Sequence, residues 1–291
     1  MVELNYPSDL KIRQFGEQYG LPVDAVIRDL ARIVEVLHLV EEGFLGHRVI
    51  LTGGMALRCY ESKRYTMRDT DTSAFQRIDD EELETVIPYE DEQISIRPED
   101  RGQWEIAGAL RTVQPIRFEP RFTNIQLARN QREFSLNVSW RGVELDPVLK
   151  PFLHQYPWVL GIEDRLVPVM DIREILAEKT LGFCVNSLAK HYSDLAFIGN
   201  VCFDDVADDH ELLRKLTAKK LEVNLRFIRQ RCETVGVTEY HHLRVRLEQP
   251  EEMGVDQNWN VRYATIGRTA YTFDTAREIV RSRIVPLLFD D

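Results

Sequence analysis

The sequence predicts an α+β fold: a mixed sheet with flanking helices, followed by a mainly helical C-terminal lobe. Three observations predict it. Apolar residues between positions 8 and 45 recur at helical spacing. Short alternating runs separated by turn residues fill Gln93 to Val148. From Asp171 onward helical spacing returns and persists. The length, 291 residues, suits one large domain or two small ones. Pro147, Pro151 and Pro157 interrupt the chain before the last part. The expected division is therefore residues 1–160, N-terminal helices plus an αβ lobe, and residues 161–291, the helical lobe.

The elements follow in order. Val23, Val26, Ile27, Leu30, Ile33, Val34 and Leu37 mark one helical stripe, and Pro22 suits its opening. His47 to Thr52 reads as a short strand that stops at Gly53-Gly54, and Met55 to Tyr60 as the first turns of a helix. Tyr65 to Phe75 is Thr-rich and extended, and 79–86 is an acidic helix. Phe134 to Trp140 alternates cleanly, with Arg141-Gly142 as its turn. Ile172, Leu176 and Phe183, then Leu188, Tyr192 and Leu195, mark two helices, and Leu212 to Cys232 a long third.

Composition excludes several classes. Hydrophobic residues at 44% and charged residues at 29% argue against disorder. No run approaches the roughly 18 apolar residues of a membrane span, so no membrane partner is expected. Met1 to Ile12 is polar, without the apolar core of a secretory signal. Cys59, Cys184, Cys202 and Cys232 form no CxxC pair, which fits reduced thiols and a cytoplasmic protein. The net charge of -11 opposes indiscriminate nucleic-acid coating but leaves room for a local basic groove. Basic residues do cluster, from Arg101 to Arg141 and from Arg214 to Arg231; solvated faces are the competing explanation.

One constellation carries chemistry. A strand meets Gly53-Gly54, a helix follows, and Asp69-Thr70-Asp71 comes 15 residues after Gly54. A Gly-Gly turn at a helix start lets a phosphate approach backbone N–H groups. Period-two geometry puts both carboxylates on one face of a strand, a setting for hard divalent cations. Such cations activate an attacking hydroxyl and stabilise a leaving pyrophosphate. Lys179 shares the apolar stripe of Ile172, Ile175, Leu176 and Phe183, so it either snorkels or meets an anion. A lysine without a protein partner there can be removed with little loss of stability. Asp194 lies four residues after Lys190, where a surface pair is the plain reading. His241-His242 lacks further ligands at metal spacing.

Gly-Gly, a helix, then Asp-x-Asp resembles the signature of the DNA polymerase β-like nucleotidyltransferases. The wording of Leu51 to Arg58 (LTGGMALR) and Arg64 to Asp71 (RYTMRDTD) is similar to the AbiEii/MenT toxin family. Arg173 to Lys179 (REILAEK) and Lys190 to Leu195 (KHYSDL) resemble two later motifs of that family, in the right order. The resemblance covers most of residues 10–200. It implies a polymerase β-like fold and the toxin of a toxin–antitoxin pair with a cognate antitoxin. It implies transfer of a nucleoside monophosphate from an NTP to an acceptor, the 3′ end of tRNA, which would block translation. In that scheme Asp69 and Asp71 hold Mg²⁺ or Mn²⁺, Gly53, Gly54 and Lys179 bind the nucleotide, and Asp69, Asp71, Lys179 and Asp194 are the catalytic set. Two departures stand out. Met55 replaces the family's Ser or Thr after Gly-Gly, and Asn137 falls where a third acidic residue is usual, with Asp146 the alternative carboxylate. A degenerate member that binds nucleotide or RNA without catalysis is the second reading, and transfer to a protein hydroxyl or small molecule the third.

Overall fold

The computed structural model describes residues 6–46, 48–60, 69–99, 104–105, 111–140, 142–154, 156, 158, 165–263 and 271–290. Residues 64–68 of the motif, Arg101 and Arg141 lie outside the described residues. The chain divides into two compact units between Met170 and Asp171.

The first unit opens with α1 (Asp9–Tyr19) and α2 (Val23–Glu41). Gly20 closes α1 at φ 66, and Pro22 precedes α2. Then come β1 (Val49–Leu51), α3 (Gly53–Arg58), β2 (Asp69–Ala74), α4 (Asp80–Val86), β3 (Tyr89–Glu90), β4 (Ile94–Pro98) and β5 (Trp104–Glu105). The long β6 (Arg111–Pro120), β7 (Glu133–Ser139), β8 (Val148–Pro151) and β9 (Leu166–Val169) complete it. All strands join one sheet in the order β3-β4-β6-β7-β2-β1-β9-β8, with β5 on β6. β2 with β7 and β1 with β9 are parallel and the other pairs antiparallel. This is the mixed sheet with flanking helices that the alternating middle region predicts.

The α2 stripe from Val26 to Leu37 is buried as its spacing requires, and Val23 at its start is half-buried. Its polar residues Asp29, Arg32 and Glu35 are buried as well, which periodicity does not foretell. Buried charges are costly unless paired. Arg32 donates to the backbone carbonyl of Asp69, and Glu35 Oε2 accepts from Thr70 Oγ1 at 2.8 Å. Asp29 takes Arg58 Nη1 on both oxygens at 2.8 and 2.9 Å, and the Tyr156 hydroxyl at 2.6 Å. Through these bonds one helix holds β2 from behind and anchors the end of α3. Burial pushes the Glu35 carboxyl up to about 7, although the Thr70 hydrogen bond and Arg32 oppose the shift.

The second unit is helical: α5 (Ile172–Asn186), α6 (Ala189–Val201), α7 (Phe203–Val206), α8 (His210–Thr234), α9 (Tyr240–Glu248), α10 (Val255–Tyr263), α11 (Phe273–Ile279) and α12 (Val285–Leu288). A π-helical stretch, Val280–Ile284, joins the last two. Asp171 and Asp209 cap α5 and α8 by accepting from Arg173 N and Leu212 N. The long third helix of the prediction is α8, kinked at Ile228. Among the described residues no helix is long and apolar enough to cross a membrane. Cys59, Cys184, Cys202 and Cys232 are all buried.

Candidate active site

The site begins where β1 ends. Thr52 N donates to Asp71 O at 2.9 Å, tying the β1–α3 turn to the middle of β2. Gly53 adopts φ +64, the left-handed region that favours glycine. A Cβ on Gly53 would lie 2.6 Å from Asp71 Oδ2 and 2.9 Å from the Asp71 Cβ. Glycine is therefore required twice, by the backbone and by the carboxylate lying against it. The sequence reading assigns this glycine to phosphate approach; its contact in the structure is with Asp71. Gly54 is half-buried in the first turn of α3, and Met55 is fully buried.

Asp69 and Asp71 share one face of β2, both half-buried, while Thr70 and Thr72 are buried on the other. Parallel pairing sets Asp69 beside Ser135 and Asp71 beside Asn137. The next strand sets Val113 beside Asn137 and Arg111 beside Ser139. Asn137 Nδ2 donates to Asp71 Oδ1 at 2.8 Å. Arg111 Nη2 stands 4.0 Å from the same oxygen. The strand neighbour of Asp71 is thus an amide, which accepts no proton. Asp146 is exposed, in the segment leading into β8, and belongs to no strand beside β2.

Among the described residues no group of three or more His, Cys, Asp or Glu is arranged to hold a metal ion. The donor set that is present suits a hard divalent cation: two carboxylates on one face, with room kept by a glycine against one of them. The remaining ligands would be phosphate and water oxygens.

The second cluster lies in the helical unit. Lys179 on α5 is buried among Ile172, Ile175, Leu176 and Phe183, as its spacing implies. The anion it meets there is Asp194 of α6, with Nζ 2.7 Å from Oδ2 and both side chains 9% exposed. Of the two alternatives, snorkelling or meeting an anion, the lysine takes the second, and the anion is a protein carboxylate. On another side of α5, Glu174 and Glu178 meet Lys220 of α8 at 2.5 and 3.3 Å.

The basic runs are largely neutralised. Arg97 and Arg121 pair with Glu90, Arg117 with Glu99 and Glu119, Arg129 with Glu99 and Glu133, and Arg132 with Glu119. On α8, Lys215 pairs with Glu211 and Arg214 with Asp290. Arg226 and Arg229 are exposed, the latter 3.6 Å from Glu233. His242 Nδ1 accepts from the N–H groups of Thr238 and Glu239 at the start of α9, a structural role. The residue that sequence reasoning left out of the site is Arg111. It is one of many arginines in its run, and only strand register brings it to Asp71.

A mixed sheet that carries Asp-x-Asp on an inner strand, tied to a Gly-Gly turn, has the architecture of a nucleotidyltransferase. A family model for the nucleotidyl transferase AbiEii toxin of type IV toxin–antitoxin systems matches residues 38–279, and the chain belongs to that family. Its fold is similar to that of MenT4, a nucleotidyltransferase toxin from Mycobacterium tuberculosis H37Rv. That superposition covers 96% of this chain and 89% of the other, at 20% identity and a TM-score of 0.67. JHP933 from Helicobacter pylori aligns with 81% of this chain and 99% of its own, at 13% identity and a TM-score of 0.41. Among curated proteins, none matches the sequence.

Proposed function

We propose that this toxin transfers a nucleoside monophosphate from an NTP to an acceptor hydroxyl, the 3′ end of a tRNA, at a site built on Asp69 and Asp71. Blocking the tRNA end stops translation and accounts for toxicity. The cell compartment is the cytoplasm, and a cognate antitoxin restrains the enzyme.

The observation that carries this reading is the fit of Asp71 against Gly53, with Asp69 on the same face of β2. Asp69 and Asp71 are the residues to hold Mg²⁺ or Mn²⁺. A bound divalent cation offsets charge on the triphosphate and lowers the pKa of an acceptor hydroxyl. The chain's own groups do the positioning. Thr52 N and the bare Gly53 keep Asp71 at the turn, Arg32 holds the Asp69 carbonyl from behind, and Asn137 fixes Asp71 Oδ1. Asn137 takes no proton from the hydroxyl, so a carboxylate or solvent receives it. Following the family's motifs, Gly53 and Gly54 lie against the nucleotide's phosphates, Lys179 meets them, and Asp194 orients Lys179.

Asn137 in place of a carboxylate favours one other reading, a degenerate member that binds without catalysis. Purified protein incubated with each α-labelled NTP, with and without tRNA, separates the two. Transfer predicts label on RNA only when a divalent cation is present. A binder retains nucleotide and labels nothing. Label on protein or on a small molecule would replace the tRNA assignment.

A further inference from the structure

We infer that Arg111 is a phosphate-binding residue of the Asp69–Asp71 site, exchanging Asp71 for a phosphate oxyanion when a divalent cation and substrate bind. This rests on the nucleotidyl-transfer reading and adds a residue to it. Arg111 stands on β6 two residues from Val113, and therefore on the same sheet face as the row Val113, Asn137, Asp71. Its Nη2 is 4.0 Å from Asp71 Oδ1, too long for a hydrogen bond. That oxygen already accepts from Asn137 at 2.8 Å. Arg111 Nε is buried and makes no hydrogen bond. The neighbouring described arginines differ: Arg97, Arg117, Arg121, Arg129 and Arg132 all lie within 3.3 Å of a glutamate oxygen. Their charge is satisfied locally, whereas Arg111 holds its donors beside a carboxylate without engaging it.

The chemistry follows from charge. In the absence of a cation, Arg111 is the positive group that tempers Asp71. With a divalent ion held by Asp71, the carboxylate would no longer need the guanidinium, and Arg111 would be left to take another anion. The anion then available is a phosphate, whose oxygens match the planar fork of an arginine bidentately. It comes from the triphosphate or from the acceptor strand.

The test uses the full chain and its Arg111→Ala and Arg111→Lys variants, with three binding measurements and no turnover. Mn²⁺ affinity without nucleotide is read by the free-ion electron paramagnetic resonance signal. Affinity for a non-hydrolysable α,β-methylene triphosphate is read in saturating Mn²⁺, and affinity for tRNA as a function of salt. Arg111→Ala should bind Mn²⁺ several-fold tighter, because a competitor for Asp71 is gone. It should bind the phosphate ligand about 10- to 100-fold more weakly, the worth of one charge-assisted pair. Loss in the triphosphate arm names the nucleotide as the source. Loss in the tRNA arm, with a salt slope lower by about 1, names the acceptor strand. Arg111→Lys keeps the charge but not the fork and should show a partial loss; it decides the matter if the alanine variant does not fold. Unchanged affinity for both phosphate ligands overturns the inference, whatever the melting temperature. Wild-type protein that binds neither ligand overturns the nucleotidyl-transfer reading instead.

Discussion

Lys179 Nζ lies 2.7 Å from Asp194 Oδ2, and the two side chains are buried together between α5 and α6. Removing one partner of a buried ion pair strands the other charge and costs about 3–5 kcal/mol. Lys179→Ala is therefore expected to lower the urea midpoint clearly, the reverse of what an unpartnered lysine would do. Replacing both, Lys179→Met with Asp194→Leu, should recover most of that stability while leaving transfer abolished. A Lys179→Ala chain as stable as the wild type would refute the pair's structural role.

Gly53→Ala tests the turn. Left-handed backbone costs a non-glycine residue roughly 1–2 kcal/mol. The new Cβ would also overlap Asp71 Oδ2 at 2.6 Å, so the carboxylate has to move. Displacing a catalytic group by about 1 Å can cost about 10²-fold in rate. Transfer should fall by at least that factor, out of proportion to a modest drop in melting temperature. Normal turnover in Gly53→Ala would mean that the Asp71 position does not matter.

Asn137→Asp places a second carboxylate on the oxygen that Asn137 now serves at 2.8 Å. In EDTA the two charges repel, and the variant should melt below the wild type. With Mg²⁺ at about 100 times its dissociation constant, binding to the folded state returns about 2.7 kcal/mol. Activity should be retained or raised, since the usual third carboxylate is restored. Equal melting temperatures in EDTA and Mg²⁺ would argue against a cation at this point.

Glu35 gives a pH signature. Its folded pKa of about 7 lies above the ordinary 4.5, with burial as the main cause. Between those values the folded chain holds a proton that the unfolded chain has released. Stability from this group is therefore greatest below about pH 4.5, declines as pH rises toward 7, and is level above. Glu35→Gln still offers Thr70 an acceptor but does not titrate. Thermal melts from pH 5 to 8 should show a shallower decline in the variant than in the wild type. Parallel curves would show that Glu35 is ionised throughout.

The parts of this fold written in local pattern were legible: the α2 stripe, the Gly53 turn, and Asp69 and Asp71 on one strand face. The parts that depend on register were not. Asn137, placed only by the family resemblance, meets Asp71 through a parallel pairing of positions 66 residues apart, and Arg111, which nothing in the sequence singled out, reaches the same face from a third strand. Asp29, Arg32 and Glu35 look like polar interruptions of a helix, because their partners are a backbone carbonyl, a hydroxyl and a distant arginine. The pairing of the described sheet arginines is hidden in the sequence for a similar reason. Glu90, Glu99, Glu119 and Glu133 are scattered in sequence but stand against the arginines in space.

The claim that Asp69 and Asp71 carry nucleotidyl transfer is met most directly by one assay. Wild-type and Asp69→Asn proteins, matched by circular dichroism, are incubated with α-labelled NTPs, tRNA and Mg²⁺, and label on the RNA is quantified. Loss of a key electrostatic group predicts a rate at least ~10²–10³-fold lower in the variant, with wild-type labelling abolished by EDTA. An Asp69→Asn protein that labels tRNA at the wild-type rate would contradict the account.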